Sequence, residues 1–156
     1  MIEVVIPGFK TLRFQHLVLD VNGTIAKDGK LLEGVKELLA QLRPQLDIHL
    51  VTADTHGNQN VLDESLGLTA TRIPFQNQAK AKLDYIERLG ADKVVAVGNG
   101  ANDAAMLERA ALGIVIIGPE GSAVEALLNA KIVVSDIKDA LELLLHPKRL
   151  MATLRR

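Results

Sequence analysis

Apolar residues in this chain fall into two alternating patterns. Short runs rich in Val, Ile and Leu occupy residues 16–19, 47–51, 68–73, 93–97, 113–117 and 131–134, the length and composition of buried strands. Between them lie longer segments whose apolar positions recur three and four residues apart. Residues 33–46 place Val35, Leu38, Leu39 and Leu42 on one helical face, with Pro44 near the end. Residues 56–66 close on Gly67, and residues 78–89 run from Asn77, a candidate N-cap, to Gly90. Residues 101–111, a helix capped by Ser122 and reaching 128, and a helix over 137–145 capped by Ser135 or Asp136 complete the series. Strands that are apolar throughout read as parallel strands covered on both faces. The pattern predicts a single doubly wound, Rossmann-like α/β domain over 1–156 with a mainly parallel central sheet.

Some segments fall outside that alternation. Residues 2–6 and 11–14, separated by Pro7-Gly8, predict a β-ribbon or edge addition over 1–14. Residues 25–32 carry Lys27-Asp28-Gly29-Lys30 between apolar ends and predict a small hairpin flap. Residues 146–156 are locally basic and read as a short, solvated tail helix. Gly118-Pro119-Glu120-Gly121 reads as a plain turn.

Composition narrows the function. At 156 residues and 48% hydrophobic, the chain can bury a core without staples. A net charge of -1 and an aromatic content of 3% argue against nucleic acid as a partner. The absence of cysteine excludes disulfides, thiolate metal sites and cysteine nucleophiles. No apolar run has the length of a membrane span and the chain does not start with a signal-peptide pattern, so no membrane partner and a cytoplasmic location are expected.

In doubly wound sheets, ligands bind at the carboxyl ends of the strands. Four segments bring polar residues there: Asp20 with Asn22 and Thr24, Thr52 with Asp54, a lysine near the start of the 78–89 helix, and Asn99 with Asn102 and Asp103. Singly, each has an ordinary structural reading as a cap, a turn or a first-turn residue. Together, each after an apolar strand, they point to a site.

The motifs carry a resemblance. Asp20-Val21-Asn22-Gly23-Thr24, Thr52-Ala53-Asp54 and Gly98-Asn99-Gly100-Ala101-Asn102-Asp103 resemble those of the haloacid dehalogenase (HAD) superfamily. The likeness is closest to the phosphorylation domain of P-type ATPases. It covers residues 16–135 and implies a Mg²⁺-dependent phosphohydrolase or phosphotransferase acting through an aspartyl-phosphate on Asp20. It implies phosphate binding by Gly23, Thr52, Ala53 and a lysine, a metal site of Asp20, Asn22, Asn99 and Asp103, and supporting roles for Thr24, Asp54 and Asn102. The motif lysine is Lys80 or Lys82. Lys82 is favoured, because it shares a helical face with Ile86 and Leu89 and stands at the family's distance before Leu89-Gly90.

This sequence departs from the family in two places. Asn22 stands where the phosphatases carry an acid/base Asp, and an amide cannot exchange a proton at physiological pH. Asn99 replaces an Asp, removing one negative charge from the metal site. Slow turnover is expected, and a catalytically weak binding or regulatory protein is the alternative. The stretches after Asn22 and Thr52 are too short for a cap domain. The expected partners are therefore a small phosphorylated substrate or a macromolecular phosphate, with a homo-oligomer closing the site. His49 reads as a sheet residue and His56 as a helix-start residue.

Overall fold

The computed structural model of the chain describes residues 1–54 and 57–156, and its central feature is a six-stranded, wholly parallel sheet. In chain order the elements begin with β1 (Ile2–Val5), β2 (Thr11–Phe14), β3 (His16–Asp20), β4 (Ala26–Lys27), β5 (Lys30–Leu31), α1 (Val35–Leu42), β6 (Asp47–Thr52), α2 (Gln59–Leu66) and β7 (Thr71–Arg72). They continue with α3 (Gln78–Leu89), β8 (Val94–Gly98), α4 (Ala104–Arg109), β9 (Leu112–Ile116), α5 (Val124–Asn129), β10 (Ile132–Val134), α6 (Ile137–Leu145) and α7 (Pro147–Leu154). Short 3₁₀ turns at Ala91–Lys93 and Ala101–Asp103 precede β8 and α4.

The spatial order is β10-β9-β8-β3-β6-β7. The chain moves outward from β3 to β7, then returns to β3's other side as β8. Strand order therefore reverses beside β3, where an open α/β sheet leaves its ligand crevice. The register sets what reaches that crevice: Asp20 pairs with Val51 and Leu19 with Val97, so Asp20, Thr52 and the Gly98–Asn99 step end at one edge.

Both faces of the sheet are apolar because alternate residues of each strand point opposite ways. Leu17, Leu19, Val95, Val97 and Ile114 join a cluster with Leu39 of α1, Leu62 of α2 and Leu141 of α6. Val18, Ala96 and Val115 point to the other side, against Ile86 of α3 and Met106 and Leu107 of α4. Between β3 and β6 there is only the β4–β5 hairpin and α1, so no cap domain stands there. The hairpin turns at Asp28 and Gly29, both with positive φ (50° and 75°), as a two-residue turn of this hand requires.

Several element boundaries differ from the sequence expectation. Residues 33–34 and 43–46 are turns flanking a shorter α1. The edge strand expected over 68–73 shrinks to Thr71–Arg72, because Asp63 of α2 draws in the Ala70 amide and the Arg72 guanidinium. Asn77 does precede α3, but it is left-handed (φ 59°) and its side chain caps nothing. Ser122 is not a cap either; Ala123 holds that position and donates its amide to the Asn99 carbonyl. Of the two candidates before α6, Asp136 caps, accepting from the Lys138 amide.

The tail is a helix but not a solvated one. Leu150 is fully buried, Met151 and Leu154 pack beside it, and α7 lies against β1. The Arg156 amide donates to the Pro7 carbonyl. The basic residues occupy the outer face of an amphipathic helix, which composition alone does not reveal. Leu150→Ala should therefore destabilise the protein by about 2–5 kcal/mol in urea unfolding. A loss near zero would show that α7 is not docked.

Candidate active site

The crevice is organised by one buried lysine. Lys82 lies on the sheet-facing side of α3 with only 1% of its surface exposed. Its ammonium donates to Asp20 Oδ1 at 2.7 Å and to Asp103 Oδ1 at 2.6 Å. Lys80, two residues earlier, is exposed and pairs with Asp84. The helical period thus decides which lysine enters the site.

Asp103 is fully buried, and its second oxygen accepts the amides of Asn99 and Gly100, each at 3.0 Å. Both oxygens are turned to Lys82 and to the loop backbone, so Asp103 anchors the lysine and fixes the turn that carries Asn99. Asn102 ties the same turn to the start of α3 through Gln78 (2.6 Å).

Asp20 Oδ2 lies 3.1 Å from the buried Thr24 hydroxyl, which also stands 3.4 Å from Asn99 Oδ1. Burial raises the Asp20 carboxyl, and the negative charge of Asp103 raises it further. Lys82 and Thr24 pull the other way, and the carboxyl ends at about 6. Burial alone would lower the Lys82 ammonium, but the two carboxylates more than reverse this and raise it.

Thr52 is buried beside Asp20, and its Oγ1 accepts the Asp54 amide at 2.9 Å. Among the described residues nothing accepts its own proton, which a hydroxyl can donate as well. Asp54 holds φ 53° and accepts the Gln59 amide, joining the turn to α2; Ala53 lies half-buried between them. The Gly23 amide donates to the Ala26 carbonyl at 2.8 Å. His49 is the expected sheet residue, bonded to His16 and Tyr85. His56 lies outside the described residues.

The sequence reading missed Glu120. A β-carbon built on Gly23 would lie 2.5 Å from Glu120 Oε2 and 2.7 Å from Asn99 Nδ2. The loop after β9 therefore brings a carboxylate to the Asp20 loop. A charged residue directly after a Gly-Pro turn at a strand's carboxyl end was the available signal.

Among the described residues, no group of three or more His, Cys, Asp or Glu side chains could hold a metal ion. The donors at the crevice are all oxygens: the Asp20 carboxylate, the Asn99 amide oxygen and the Asn22 carbonyl. The Val21 carbonyl accepts three amides, whereas nothing among the described residues donates to that of Asn22. One carboxylate with neutral oxygens fits a hard cation such as Mg²⁺, which is commonly held by one or two carboxylates together with a substrate phosphate. A groove of about 1000 Å³ lined by Lys10, Arg13, Lys93 and Lys131 lies at the opposite end of the strands and touches none of these residues.

The Asp20 shift predicts a pH-dependent penalty. Its folded value, about 6, exceeds the unfolded value of 3.8. Its contribution to stability is thus full below about pH 4 and is lost as pH rises through about 6. Asp20→Asn should stabilise the protein by on the order of 2 kcal/mol above that window and by little below it. Thermal unfolding of both proteins from about pH 4 to pH 7.5 checks the difference.

Comparison with known proteins agrees with this architecture. A family model described as haloacid dehalogenase-like hydrolase matches residues 3–111. An uncharacterised protein of Methanocaldococcus jannaschii is 44% identical over 88 residues, which are 54% of this chain and 95% of that protein. The probable copper-importing P-type ATPase A of Enterococcus hirae is 31% identical over 108 residues, 67% of this chain but 15% of the ATPase. Among solved structures, the 3-deoxy-D-manno-octulosonate 8-phosphate phosphatase of Moraxella catarrhalis, in complex with magnesium, phosphate and a sugar acid, superimposes with a TM-score of 0.65. Its sequence identity is 17%, with 91% of this chain and 94% of that one covered, so it bears on the fold alone. No described helix is long and apolar enough to cross a membrane. With the family model spanning well over half its length, the chain belongs to the haloacid dehalogenase-like hydrolases.

Proposed function

We propose that this protein is a slow, Mg²⁺-dependent phosphohydrolase or phosphotransferase that works through an aspartyl-phosphate on Asp20. The observation that carries this reading is the Lys82 ammonium set between Asp20 and Asp103 at the strand-order reversal. It supports a site in which a carboxylate and a cation meet a phosphoryl group at the sheet edge where β6 ends in Thr52.

The Asp20 carboxylate attacks phosphorus, and the bond from phosphorus to the leaving oxygen breaks. Thr52 donates a hydrogen bond to a phosphoryl oxygen, and Lys82 offsets the charge of the group in transfer. With two carboxylates and one ammonium, the core of the site is net negative and repels a phosphate. Mg²⁺, held by Asp20, the Asn22 carbonyl and Asn99, would supply the missing positive charge.

Asn22 can neither protonate the leaving oxygen nor activate the water that later hydrolyses the aspartyl-phosphate. Leaving groups that depart as stable anions, such as the carboxylate of an acyl phosphate, are therefore handled best. The intermediate should persist.

Incubation with acetyl phosphate and Mg²⁺ should add one phosphoryl group to Asp20, visible by mass spectrometry and absent in Asp20→Asn. Unlabelled wild-type protein under these conditions would overturn the reading. Asn22→Asp should raise turnover of a phosphate monoester by about 10²-fold or more in a steady-state assay. A wild type that neither labels nor turns over, beside an active Asn22→Asp variant, would favour a binding or regulatory protein, the reading that Asn22 and Asn99 together suggest.

A further inference from the structure

We infer that Glu120 supplies a second carboxylate to the divalent cation of the Asp20 loop, taking over the charge that Asn99 lacks. The inference rests on the metal-dependent reading above.

Glu120 belongs to the connection between β9 and α5, which reaches the same edge of the sheet as Asp20. That connection packs directly on the Asp20 loop: a β-carbon on Gly118 would lie 3.1 Å from the Gly23 carbonyl oxygen. Glu120 Oε2 and the Asn99 side-chain amide meet beside Gly23: a β-carbon built there would lie 2.5 Å from the carboxylate oxygen, 2.7 Å from Asn99 Nδ2 and 3.1 Å from Asn99 Oδ1. Any side chain at position 23 would displace them. Gly23 itself has φ 80°, so two separate constraints demand glycine.

The position of Glu120 is set by Asn99. The Asn99 amide nitrogen donates to the Gly121 carbonyl at 3.0 Å, and the Asn99 carbonyl accepts the Ala123 amide at 2.8 Å. Gly121 closes back on the Gly118 carbonyl, completing the turn around Glu120. An aspartate at 99 could not donate to Gly121, and its charge would repel Glu120. Asparagine thus gives up a carboxylate and gains a clamp that brings another carboxylate to the same place.

The charges available to a cation point the same way. Asp103 has both oxygens engaged by Lys82 and the loop amides, and Asp20 has one oxygen on Lys82. Among the described residues, the Glu120 carboxylate takes no hydrogen bond or ion pair. It is positioned and uncommitted, and with Asp20 it makes the pair of carboxylates typical of a protein Mg²⁺ site.

The test is titration of the full chain with Mn²⁺, followed by electron paramagnetic resonance, on wild type, Glu120→Gln and Asp20→Asn. Glu120→Gln is isosteric and exposed, and equal thermal unfolding will show that its fold is intact. The expected result is a loss of about tenfold to a hundredfold in Mn²⁺ affinity for Glu120→Gln. Wild-type affinity in Glu120→Gln, with weakened binding in Asp20→Asn, overturns this inference and leaves the proposed function standing. No Mn²⁺ uptake by the wild type overturns both.

Discussion

The ammonium of Lys82 between two buried carboxylates is the interaction on which the crevice depends. Taking any one of these charges out of water alone costs several kcal/mol, so the ammonium is tolerable only beside a carboxylate and a carboxylate only beside the ammonium. That requirement reaches far along the chain. It needs α3 laid against the sheet with Lys82 inward, the 3₁₀ turn at Ala101–Asp103 to aim Asp103, and β3 to deliver Asp20 between its neighbours. Burial, and after it the surplus negative charge that Asp103 brings to the cluster, is why the Asp20 carboxyl resists ionising. A site built this way stores unfavourable electrostatics that a bound cation and phosphoryl group together would relieve.

Asn99 shows how one substitution can change the kind of work a residue does. An aspartate at this point would be an acceptor and a charge. The asparagine is a donor to Gly121 and an acceptor near Thr24, and it holds two loops together by neutral hydrogen bonds. Charge and connectivity are exchanged within the same side-chain volume. Asn22 makes the complementary exchange nearby: its side chain is neither acid nor base, while nothing among the described residues donates to its backbone carbonyl.

The fold and half of the site could be read from the amino-acid sequence because they rest on periodicities. Apolar runs located the strands, Asp20 and Thr52 followed from strand ends, and the helical repeat placed Lys82 inward and Lys80 outward. What could not be read depends on contacts between distant segments. Spacing places Asp103 near the site but says nothing of its oxygens, which are claimed by Lys82 and two amides. Glu120 counts only once the β9–α5 connection is folded over Gly23. The two-residue β7 reflects competition from Asp63 for the backbone it would have used. The burial of Leu150 was hidden because a basic composition masks an apolar stripe.

The docking of α7 on β1 has a bearing on how the chain acquires its structure. The β1–β2 ribbon is made early in the sequence, yet part of its apolar cover comes from Leu150, Met151 and Leu154. During synthesis that face stays open until nearly the whole domain has emerged. Closing it joins segments at maximal separation, an entropically expensive contact that forms late. The helix thus acts as a latch on completed folding, remote from the chemistry and dependent on every element between.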